Sequence, residues 1–139
     1  MKSKYPIIIL LLALTFSCKN KTTKTEPKAI QLVGLTLNNN EKWIANKETH
    51  IGMKRIDSIL KNNTSSNGKI LGKALSKQTS YIIKSCDMEG EAHDQLHVVL
   101  VPILEEITDI KDVENPLEIE KKVITLQSLT ATYFKYFKI

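Results

Sequence analysis

The sequence predicts an all-α domain, an up-and-down four-helix bundle preceded by a short extended segment and a flexible tether. Three observations lead there. Glycine and proline are scarce, five and four in 139 residues, leaving few of the turns that a many-stranded fold needs. Apolar residues recur at three- and four-residue steps in four successive stretches, the period of a helix with one buried face. The polar segments between them are short enough to make neighbouring helices antiparallel. A longer three-helix bundle, continuous over residues 69–108, is the alternative.

At the N-terminus Lys2 and Lys4 precede an apolar run over 6–16, and Ser17-Cys18 follows at once. This is the layout of an export signal over 1–17, and the run is too short to span a bilayer comfortably. Leu14-Thr15-Phe16-Ser17-Cys18 resembles a lipobox, although Thr15 stands where that motif has Leu. The resemblance implies that Cys18 is acylated on sulfur with palmitate-type chains and becomes the first residue of the mature protein. Two or three chains, at about 0.8 kcal/mol per buried CH₂, make such anchoring effectively permanent. Lys19 follows the cysteine where Asp would mark inner-membrane retention, and an acidic surface-export tag is missing. By resemblance this implies an outer-membrane lipoprotein facing the periplasm.

Residues 18–28 lack apolar content after the cysteine and read as the flexible, lipid-anchored tether. The 29–139 remainder is one small domain. Ala29 opens a weakly alternating run to Leu37, an extended segment, and Asn38-Asn39-Asn40 reads as a turn. A first helix is expected over 41–61, with Trp43, Met53, Ile56 and Leu60 inward, and the polar run 62–68 ends it. A second spans 69–86 with Ile70, Leu71, Ala74, Leu75, Ile82 and Ile83 as its apolar positions. A third covers 91–108, where Pro102 predicts a kink or a short break. The last begins at Asn115-Pro116, proline being tolerated in a first turn. Ile119, Val123, Leu126, Thr130, Tyr133 and Phe137 make its seam. Trp43 and the Tyr133, Phe134, Tyr136, Phe137 group read as core and bundle-end packing.

The formal charge of +5 does not point to nucleic acid. From Ala29 onward 14 basic residues balance 14 acidic ones, and the excess lies in the signal and tether. Affinity for nucleic acid comes mainly from neutralising phosphates, so no nucleic-acid partner is expected. Residues 42–84 hold nine basic and two acidic side chains, whereas 87–120 hold eleven acidic and one basic. An antiparallel pairing of these halves predicts intrachain charge complementarity.

Chemical potential concentrates at Cys86, Met88, His93 and His97. His93 and His97 are one helical turn apart, about 6 Å, a spacing that presents two imidazoles to one ion. Leu100 and Leu104 extend the same stripe, which predicts an inward-facing pair. Acylation of Cys18 leaves Cys86 as the only mature thiol. On an unbroken helix Cys86 would sit about 10 Å along the axis from His93. A break at Gly90 would let Cys86 and Met88 fold back over the third helix. Sulfur with imidazole suits Cu(I), with Zn(II) next. The competing reading is a pair of histidines hydrogen-bonded or partly exposed, and a cysteine that is a small hydrophobe. Asp87, Glu89, Glu91 and Asp94 read as helix N-terminal acids, and His50 as a surface or boundary histidine.

The spacing Cys86-x-Met88-x-Gly90-x-x-His93-x-x-Leu96-His97-x-x-Leu100-x-Pro102 resembles a motif of small uncharacterised Bacteroidetes lipoproteins. That resemblance implies no established activity.

Asp94 stands where the zinc-protease pattern needs Glu, and no Cys-x-x-Cys-His is present for covalent haem. Haem b held by His97 and Met53 ranks below a bare ion. A Cys86–His93 nucleophile dyad has no acid partner or oxyanion donor to name, so no enzyme is expected. The expectation is a membrane-anchored bundle that binds copper or zinc for handling or sensing. The alternative is a structural lipoprotein recognised by another envelope protein, its oligomeric state open.

Overall fold

The computed structural model describes residues 27–139. The signal over 1–17, Cys18 and the tether through residue 26 lie outside the described residues. Four helices carry the fold: α1 (Lys47–Lys61), α2 (Gly68–Ser85), α3 (Gly90–Asp109) and α4 (Pro116–Tyr136). A 3₁₀ turn, Ile110–Asp112, follows α3, and two short strands are β1 (Trp43–Ile44) and β2 (Phe137–Lys138). Each helix packs on the next and α4 returns to α1, giving an up-and-down bundle. Among the described residues no helix is long and apolar enough to cross a membrane.

The first helix starts later than its apolar period predicts. Asn46 decides the position: its side-chain oxygen accepts from Thr49 N at 3.3 Å, while its amide donates to Ser85 O at 2.8 Å. One side chain thus caps α1 and ties its start to the end of α2. Residues 41–46 are not helical, because Trp43 and Ile44 pair in parallel with Phe137 and Lys138. Trp43 still enters the core, with its indole N–H donating to Thr36 O at 2.7 Å. A pairing partner at the far end of the chain leaves no local trace in the sequence.

The extended segment lies against the helices but is folded once on itself. Leu35 N bonds Leu32 O at 3.2 Å, with Gly34 at φ 85° in the left-handed position that a type II turn assigns to glycine. Asn38 and Glu41 then exchange two backbone bonds around Asn39 and Asn40, both at positive φ, the expected turn.

Four helices, not three, result because residues 86–89 break the helical path and Gly90 takes φ 62°. Pro102 does not break α3, which runs on from Gly90 to Asp109. Ile70 and Ile83, expected inside, are exposed, and Leu71, Leu75, Thr79 and Ile82 form the buried face of α2. The seam of α4 is buried as expected, with Val123 partly so. Trp43, Tyr133, Tyr136 and Phe137 are core residues. Among the described residues the ion pairs do not make the expected charge match. Ion pairs join Lys122 to Glu106 and Asp109, Lys61 to Asp57, and Lys138 to Glu41, and none of these bridges the basic and acidic halves.

Gly68 sets how closely α2 approaches the end of α3. A Cβ there would overlap the Ile110 carbonyl oxygen and lie 2.7 Å from that of Val113. Both obstacles are backbone, so neither can swing aside. Gly68→Ala is expected to cost about 1–3 kcal/mol, read as a lower urea midpoint at unchanged slope.

Candidate functional site

The first turns of α3 carry the histidine pair. Glu89 precedes the helix without a side-chain cap bond, and Glu91 alone supplies an acidic group to the first turn. His93 and His97 stand one turn apart with ring centroids 4.4 Å apart and planes inclined at 56°. His93 is half-buried and His97 exposed. Neither ring has a hydrogen-bond partner among the described residues.

The pair does not face inward as the apolar stripe predicts. Leu96, Val99, Leu100, Ile103 and Ile107 form the buried face of α3. At 100° per residue, His93 and His97 lie about 60° and 100° from the centre of that face. Leu100 therefore belongs to the core while His97, on its other flank, reaches solvent.

Cys86 ends α2 and Met88 lies in the connector, both partly buried against the core. Cys86 is a free thiol and lies close enough to Tyr133 to act on its ionisation. Among the described residues no three His, Cys, Asp or Glu side chains are gathered to hold one ion. Gly90 thus breaks the helix as required, yet Cys86 does not join both imidazoles. Asp87, Glu89, Glu91 and Asp94 do not complete such a group either. Of the pair named for haem, His97 is exposed whereas Met53 is wholly buried.

His50, expected at the surface or its boundary, is buried. His50 is 8% exposed, and its Nδ1 lies 3.3 Å from the Tyr133 hydroxyl. Its ring meets Phe134 edge-on at 5.5 Å, and Tyr133 stacks on Phe137 at 5.1 Å. Burial, with the nearby Lys54 and Lys42 charges, lowers the pKa of His50 below its usual 6.5. Burial first, and Cys86 second, push the Tyr133 phenol above its ordinary range. The phenol therefore stays protonated, and the imidazole and the hydroxyl share one hydrogen bond inside the core. Beside them Thr49 Oγ1 is buried with no partner among the described residues. A helical period placing His50 one turn before Met53 was the available signal for its burial.

What fold and site together define is a class: a four-helix bundle with one histidine buried in its core and two on a flank of α3. No protein-family model, no curated protein and no solved structure matches the chain.

A histidine whose folded pKa is depressed contributes stability above its unfolded pKa and loses it as pH falls through the folded value. The bundle is therefore expected to lose thermal stability as pH drops from above 6.5 into the acid range. His50→Gln should flatten that part of the melting-temperature profile, measured by circular dichroism.

Proposed function

We propose that this is an outer-membrane lipoprotein, anchored through acylated Cys18 and facing the periplasm, whose bundle binds copper or zinc through His93 and His97. The observation that carries the reading is the 4.4 Å separation of two hydrogen-bond-free rings one turn apart on α3. Free ring nitrogens on adjacent turns supply two ligands without unfolding anything, and water or a partner's donor supplies the others. With Cys86 not gathered with the two rings among the described residues, the ion meets imidazole without thiolate. That donor set favours Cu(II) or Zn(II) over Cu(I). Met88, partly buried in the connector, is the nearer source of sulfur in sequence. The role is handling or sensing of the ion, with no reaction assigned.

The second reading is a protein-interaction lipoprotein without metal. Exposed Ile70, Val101, Leu117 and Ile124 on the sides of the bundle support it.

Titration of the full chain with Cu(II) and Zn(II) separates the two. His93→Ala/His97→Ala is expected to weaken binding by at least about tenfold, whereas His50→Ala leaves it unchanged. Equal binding by the double variant and the native chain would leave the second reading in place. Intact-mass measurement tests the anchor: the native chain should lose residues 1–17 and gain acyl groups, and Cys18→Ala should do neither.

A further inference from the structure

Val33 is fully exposed at the tip of the 32–35 turn, with Ile30 and Leu37 each 38% exposed on either side. An aliphatic tip on a loose loop would mean little, but this turn is clamped. Ile30 N donates to Thr132 Oγ1 at 2.9 Å, and the same hydroxyl lies 3.1 Å from Ile30 O. Gln95 accepts from Thr36 N at 2.8 Å and donates to Gly34 O at 3.1 Å. Leu35 is buried beneath. The strap thus binds α4 on one side and α3 on the other, and the clamp points Val33 away from both. Ile44 and Ile139, on the adjoining strand edge, are exposed at the same end of the bundle.

Charge and chain length identify what lies opposite. Residues 19–40 carry Lys19, Lys21, Lys24 and Lys28 against Glu26 alone. Eight residues lie between Cys18 and Pro27, and the nine steps reach at most about 30 Å when fully extended. A bilayer holding Cys18 is therefore always within reach of this end of the bundle. Aliphatic side chains beside lysines are the composition that binds the headgroup–acyl boundary of anionic membranes.

We propose that the 28–37 strap is a membrane-contact element: the Val33 turn enters the boundary region of the bilayer that holds Cys18, flanked by Ile30 and Leu37, while the exposed Lys28 meets anionic headgroups. This rests on the anchor reading of Cys18 and adds an orientation to it. The bundle then stands on the end formed by the start of α3 and the end of α4.

The test uses the full acylated chain in vesicles of phosphatidylethanolamine and phosphatidylglycerol. A polarity-sensitive fluorophore is placed at Val33→Cys or, for comparison, at the exposed Glu105→Cys, each with Cys86→Ala and with Cys18 blocked by its lipid. The label at 33 should shift to the blue and be quenched by brominated acyl chains at least about twofold more than the label at 105. Water-like, equally unquenched emission at both positions would overturn the proposal. So would a blue shift that ignores the brominated lipid and grows with protein density, which would mark a second copy as the occupant. Mass measurement of the same sample distinguishes the two readings: acyl groups on Cys18 with an unshifted label remove only the strap contact. Missing acyl groups remove the anchor and the inference with it.

Discussion

Tyr133 is where the first and last helices are held together, and much of this structure depends on its burial. A buried phenol needs a hydrogen-bond partner, and His50 on α1 provides it at 3.3 Å. The stack on Phe137 carries the same constraint past the end of α4 into β2. There Phe137 pairs with Trp43, which brings the approach to α1 alongside the C-terminus. Lys42 Nζ donates to Phe134 O at 2.7 Å and Thr132 holds Ile30, so the N-terminal strap is fastened to the same turns of α4. The two ends of the described residues are thereby joined through one aromatic cluster.

That arrangement also separates the histidines by chemistry. His50 is enclosed, kept neutral by burial and by two nearby lysines, and already satisfied by a hydroxyl. His93 and His97 stand on the flank of α3 against each other, with no hydrogen-bond partner for either ring among the described residues. Cys86, partly buried at the end of α2, which Asn46 ties to the start of α1, does not gather with both imidazoles. A thiol and two imidazoles within twelve residues of sequence therefore do not form one cluster.

Local signals carried far where the interaction itself is local. Asn115-Pro116 marks the start of α4, with Asn115 Oδ1 accepting from Leu117 N at 2.9 Å, and Asn67 does the same work for α2 through Ile70 N. The turn at 38–41 follows from three consecutive asparagines, two of which adopt positive φ. Local signals failed at residues 41–46, where a strand partner lies at the other terminus. They failed also at His50, whose burial depends on an aromatic residue of α4, and at His97, whose stripe straddles the margin of the buried face. Ile70 and Ile83 show the same limit: an apolar side chain obeying a helical period still stays outside when no neighbouring helix covers it.

The sequence by itself determined the class of fold, most of the helix ends and the spacing that makes His93 and His97 a pair, because caps, prolines and hydrophobic period act within a few residues. Only the tertiary structure decided that the chain makes four helices, which histidine is buried, that Cys86 does not gather with both imidazoles, and that Val33 is fully exposed on a clamped turn. Those outcomes depend on which helix faces which. Such contacts join residues distant along the chain, and neither partner's local sequence specifies the other.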